Sequence, residues 1–139
     1  MAIKAYLFFD SRCEEAIAFY EQALGAERLM FLRYADAPDP VPEGMLPKIG
    51  AGGVLHATLK VGDGELMMSD GCGPECEAFR GFSVSLSADG ADEAKRFYDA
   101  LAEGGQIQMP LGPTFFSPCF GMVTDRFGVP WMVVVPGAA

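Results

Sequence analysis

His56 is the only histidine among the 139 residues, so no multi-histidine metal site can form within one chain. Any chemistry it does must use carboxylates or hydroxyls as partners. It lies in an alternating stretch, with His56, Thr58 and Lys60 on one face and Leu55, Ala57, Leu59 and Val61 on the other. Asp70 closes the next apolar run. If the two strands are adjacent, His56 and Asp70 form a candidate acid–base pair. The plainer reading makes His56 a polar residue on the sheet face and Asp70 a strand-end turn former. No Gly-x-Ser-x-Gly elbow accompanies the histidine, which removes Ser-His-Asp hydrolysis. Asp125, before Arg126, Phe127 and Gly128, reads as a turn residue.

Composition narrows the classes further. The chain is 50% hydrophobic and 21% charged, enough for a core and unlike a disordered chain. Its net charge of −9 and pI near 4.4 repel phosphate backbones, so nucleic acid is not an expected partner. No apolar run reaches the ~20 residues of a membrane span. The N-terminal stretch is too short for a secretory signal, and a cytoplasmic protein is expected. Cys13, Cys72, Cys76 and Cys119 lack the spacing of a zinc knuckle. Cys72 and Cys76 could meet across a loop as a disulfide or redox pair; in a cytoplasmic protein, reduced thiols are the expectation. Glycines 50, 52 and 53 are not a phosphate loop, because no Gly-Lys-Ser/Thr follows.

These residues need elements to hold them. Residues 3–9 read as a strand, and Asp10 and Ser11 as the cap of a helix. Cys13, Ala16, Ile17, Tyr20, Ala23 and Leu24 recur at helical spacing up to Gly25. Residues 27–34 follow as a strand. Segment 35–53 is rich in Pro and Gly and has no period, which suggests a flap over a pocket or a surface excursion. Residues 55–61 and 65–70 form a hairpin about Gly62 and Gly64, and 71–80 is a connector. The order then repeats. Residues 81–87 alternate, Ala94, Phe97, Tyr98 and Leu101 make a helical stripe, and Gly104 and Gly105 end it. Residues 106–109 read as a strand that Pro110 to Pro113 interrupts and 114–116 resume, followed by strands at 119–124 and 131–135.

The repetition extends to residues. Glu15, Ala16, Phe19 and Tyr20 align with Glu93, Ala94, Phe97 and Tyr98, and residues 64–68 align with 128–132. Each half reads strand–helix–strand–strand–strand. Two βαβββ halves resemble the vicinal oxygen chelate (glyoxalase/bleomycin-resistance) fold. The resemblance narrows to its PhnB-like group, labelled 3-demethylubiquinone methyltransferase-like. Tyr6 to Phe9 with Cys13 to Ala16, His56 to Leu59 with Leu66 to Asp70, and Phe120 to Met132 carry it. The resemblance implies an α+β architecture with a curved mixed sheet. It implies one glyoxalase-like domain over 1–139, with repeat 1 at 1–70, connector 71–80 and repeat 2 at 81–139. It also implies a homodimer.

Superfamily enzymes hold a divalent metal with His and Glu inside the cup of the sheet. Carried onto this chain, those positions fall on Ala5, Met68, Ser83 and Met132, which are poor ligands for Mg, Mn, Fe or Zn. A one-residue slip to Lys4, Tyr6, Phe82 or Val133 supplies no carboxylate or imidazole. No metal or other cofactor is therefore expected. The methyltransferase label finds no strand leading into a Gly-rich turn and helix. By alternation, the expected cup lining is His56, Thr58, Met68, Asp70, Ser83, Ser85, Phe120, Met122 and Met132, with Lys60, Ser87, Thr124 and Val134 beside them. That mixture suits a small, partly apolar organic ligand bound without a metal. Two alternatives stand beside it. One is a metal-independent enzyme using His56 with Asp70 or Ser85; the other is a metal-dependent lyase or dioxygenase with non-standard ligands.

Overall fold

In the computed structural model, which describes residues 1–39, 41–72 and 76–137, the chain forms two compact units, Met1–Glu77 and Ala78–Ala139. The first contains β1 (Ala5–Phe8), α1 (Cys13–Leu24), β2 (Glu27–Arg33), β3 (Val54–Val61) and β4 (Gly64–Ser69). The second contains β5 (Val84–Ser87), α2 (Ala91–Ala102), β6 (Gln106–Gly112), β7 (Cys119–Thr124) and β8 (Pro130–Val135). The sheets run β1-β4-β3-β2 and β5-β8-β7-β6, so each unit repeats the same topology. In each, the first strand pairs parallel with the last and the other pairings are antiparallel.

The helices follow from their apolar stripes. Cys13, Ala16, Ile17, Tyr20 and Leu24 of α1 are buried, and so are Ala94, Tyr98 and Leu101 of α2. Gly25 ends α1 in the left-handed region at φ 67°, with its N–H donating to Glu21 O at 3.1 Å. The start of α1 differs from the expected cap. Arg12 occupies the N-cap, and the Cys13 N–H donates instead to Asp70 Oδ1 at 2.9 Å. Ser11 is held at φ 64°, and its hydroxyl accepts the Ile49 N–H at 3.1 Å.

The last strands also differ in extent. Pro110 does not interrupt β6, because β6 is an edge strand where a missing N–H is tolerated. The pairing of β6 with β7 shifts register between Met109 and Gly112. Residues 114–116 do not resume a strand: the Thr114 N–H donates to Ser117 O at 2.8 Å and makes a turn. Gly121 on β7 lies against α2. A Cβ there would sit 2.7 Å from Tyr98 Cε2 and 3.1 Å from Leu111 Cα, so only glycine admits this approach of helix and sheet.

Segment 35–53 belongs to the first unit and leaves β2 through short 3₁₀ turns. Its neck is closed by the Tyr34 N–H donating to Gly53 O at 3.0 Å. Lys48 Nζ reaches Asp10 Oδ2 at 3.3 Å, beside the Ile49–Ser11 bond. In the connector, Cys72 and Cys76 form a disulfide rather than the expected pair of thiols, with their Cα atoms 5.2 Å apart. Cys13 and Cys119 are free and buried. Burial pushes the Cys13 thiol well above its ordinary range, reinforced by the charge of Asp70, which leaves it unreactive.

Candidate functional site

Strand register decides which side chains share a face. In the first sheet Leu7 pairs with Met68 and Met68 with Ala57, and all three are buried on the side covered by α1. Tyr6, Met67, Thr58 and Met30 pair in the next row and occupy the opposite face. Met68 therefore lies under α1, not in the cup, and Met67 takes the expected place. Ala5 pairs with Leu66 and is likewise on the α1 side.

Length differences between the halves produce both corrections: two residues, 62–63, join β3 to β4 but five, 125–129, join β7 to β8, and the β–α connectors differ as well. Four residues, 9–12, join β1 to α1, while three, 88–90, join β5 to α2. Counting back from the Phe-Tyr pair of each helix therefore reaches opposite faces. In the second sheet Ser85 pairs with Met132 and Met132 with Met122, on the face away from α2. Phe120 and Val134 pair on that face as well, as alternation predicts. Tyr6 and Met67 are the counterparts of Ser85 and Met132. The same offset places Lys4 opposite Ser83 in sequence.

His56 is half-buried on the helix-free face of the first sheet. Its Nδ1 lies 2.9 Å from Tyr6 Oη and its Nε2 lies 3.1 Å from Thr58 Oγ1. The Tyr6 ring also contacts Phe8, with centroids 4.8 Å apart. Phe8 and Met30 are 48% and 50% exposed, so the polar chain is set in accessible apolar surface.

Asp70 is not the partner of His56. Its Oδ1 accepts the Cys13 N–H and its Oδ2 accepts the Val54 N–H, both at 2.9 Å, in a buried position. It thus ties the end of β4 to the starts of α1 and β3. Burial raises its pKa, and the backbone N–H groups offset that only in part. The Tyr34 phenol is also raised, first by burial and then by the charge of Asp70. Asp125, by contrast, is the turn residue that the sequence suggests. Its Oδ1 accepts the N–H groups of Phe127 and Val129, and its Oδ2 accepts Trp131 Nε1–H at 2.9 Å.

The alternation of β3 and β7 gives the facing of His56, Thr58, Phe120 and Met122 that the strand register has. It missed Tyr6, Phe8, Met30 and Met67. The unequal β–α connectors are the signal for Tyr6, since one extra residue reverses a strand's facing relative to its helix, and the two-residue turn from β3 to β4 is the signal for Met67.

On the faces away from the helices the first and last strands of the two units carry Tyr6, Met67, Ser85 and Met132, with Lys4 and Ser83 just before the first strands. These donors do not match the His and Glu set of a hard or borderline metal. Among the described residues no group of three or more His, Cys, Asp or Glu lies together.

Two βαβββ units with a helix on one face of each mixed sheet define an α+β protein with the vicinal oxygen chelate, or glyoxalase/bleomycin-resistance, fold. Within that fold the chain belongs to the PhnB-like family described as 3-demethylubiquinone-9 3-methyltransferase, whose model matches residues 1–134. It is 35% identical to protein YjdN of Escherichia coli K12 over 97% of this chain and 95% of that protein. Protein PA1353 of Pseudomonas aeruginosa is 43% identical, with a TM-score of 0.85 and 98% of each chain covered. A Bacillus cereus PhnB protein, itself described as a putative 3-demethylubiquinone-9 3-methyltransferase, is 29% identical with a TM-score of 0.79 over 97% of this chain and 99% of that one.

Proposed function

We propose that the protein binds a small, partly apolar organic molecule on the helix-free face of the first sheet, without a divalent metal. The observation that carries this reading is the Tyr6–His56–Thr58 chain set among Phe8, Met30 and Met67. Apolar side chains supply contact area there, and a few polar atoms fix orientation. The donor set supports independence from metal. A thermal-shift screen tests both parts. Aromatic or antibiotic-like compounds are expected to raise the melting temperature equally with and without EDTA. Tight, stoichiometric stabilisation by Mg²⁺, Mn²⁺ or Zn²⁺ would overturn the reading in favour of a metalloenzyme.

A second reading is a metal-independent enzyme in which His56 moves a proton. The Tyr6–His56 hydrogen bond favours it, with Tyr6 in the role first given to Asp70. The methyl transfer in the family's description draws no support from the β–α connectors. Neither 9–12 nor 88–90 is a glycine-rich turn that cradles a nucleotide-like cofactor.

The same reading includes a homodimer. The edge strands expose Leu29 on β2 and Ile107 and Met109 on β6, apolar area that association would cover. Light scattering at micromolar concentration is expected to give twice the 14.9 kDa chain mass, and a monomeric mass would remove the proposal.

No helix is long and apolar enough to cross a membrane among the described residues.

A further inference from the structure

The hydrogen-bond chain on the first sheet has a property that contact area alone does not supply. We infer that Tyr6, His56 and Thr58 form a reversible relay that selects flat aromatic ligands bearing a carbonyl or hydroxyl oxygen, which meets Tyr6 Oη. This rests on the proposed ligand-binding face and names the class of molecule it takes.

With neutral imidazole the three side chains hold three relevant protons, and two are used in the two internal hydrogen bonds. The third is left at one end. In one direction Tyr6 O–H donates to Nδ1, Nε2–H donates to Thr58 Oγ1, and the Thr58 proton points outward. In the other, Thr58 O–H donates to Nε2, Nδ1–H donates to Tyr6 Oη, and the Tyr6 proton points outward. Both arrangements carry the same protons and the same charge. They differ in the His56 tautomer and in whether Tyr6 has a proton to offer a ligand; a lone pair is open on Tyr6 in both.

Tyr6 is the end that an aromatic ligand reaches. Its ring lies 4.8 Å from that of Phe8, and Phe8 is 48% exposed. Met67 is its register partner on β4, so an exposed ring and a polarizable thioether share the sheet face with the phenol. A ligand carbonyl takes the proton of Tyr6, whereas a ligand hydroxyl can donate to its lone pair. His56 is a positioning residue that holds Tyr6 in either state.

Because the chain has one histidine, its imidazole nitrogen NMR signals need no assignment. The experiment uses the full chain with ¹⁵N-histidine and ¹³C-methyl methionine. Signals of Met30 and Met67 are identified by Met30→Leu and Met67→Leu. The probes are acetophenone, which only accepts, and phenol, which also donates. Both are expected to shift the two methyl signals. Acetophenone drives His56 to the Nδ1–H tautomer, whereas phenol, which can donate to Tyr6 in either arrangement, leaves the tautomer of the free protein. Tyr6→Phe abolishes that difference and weakens acetophenone about fivefold, the size expected for one neutral hydrogen bond. Methyl shifts with one unchanged tautomer for both probes, or unchanged binding in Tyr6→Phe, overturn the relay and leave the binding face standing. No methyl shift with either probe overturns both.

Discussion

Asp70→Ala will destabilise the first unit by about 3 kcal/mol, because it removes the acceptor of two buried backbone N–H groups at the starts of α1 and β3. In a chain of this size that is a fall of roughly 10 °C in melting temperature. Far-UV circular dichroism during urea or thermal unfolding measures it, and a fall under about 2 °C would show that other groups hold these N–H bonds. Asp70→Asn keeps a polar side chain and separates packing from charge. The folded pKa of Asp70 lies above the usual aspartate value, with burial as the largest cause. Its contribution is therefore fully present below the unfolded pKa and is lost as pH rises through the folded pKa. Asparagine does not titrate, so the stability gap between the native chain and Asp70→Asn narrows as pH rises through that window. A gap that widens instead would reverse the sign of the assignment.

Trp131 is the corresponding anchor of the second unit. It is fully buried, pairs with Val84 and Val123, and donates Nε1–H to Asp125 Oδ2. Trp131→Ala is expected to cost about 3–5 kcal/mol through the cavity it leaves. Trp131→Phe retains most of the ring and removes one hydrogen bond to a buried carboxylate, so about 1–3 kcal/mol is expected. Circular dichroism is again the readout, because either substitution removes the only tryptophan. Equal losses for the two variants would mean that the hydrogen bond, not the ring volume, carries the anchor.

The sequence disclosed the order of elements because the strands and helices are strongly periodic. The stripe of α1 and the alternation of β3 are both set by burial on one side. The turn role of Asp125 was legible because its backbone partners lie within four residues. The role of Asp70 was not, since the N–H it caps is 57 residues away. The facing of Met67 and Met68 depends on strand pairing across the two-residue turn from β3 to β4, and that of Tyr6 on the length of the connector before α1, neither of which shows in local periodicity. Pro110 was read as a break because its place on an edge strand is a property of the sheet, not of the residue.

The closed neck of segment 35–53 bears on how this scaffold can be altered. Its ends meet at the Tyr34–Gly53 hydrogen bond, so the distance between β2 and β3 does not depend on how many residues intervene. Halving or doubling such an excursion changes its closure free energy by only about 0.6 kcal/mol. The part of segment 35–53 that precedes Pro47, with the anchors at Lys48, Ile49 and Gly53 kept, is therefore an exchangeable cassette: inserts of different length and composition can be grafted there while the register of the first sheet stays as it is.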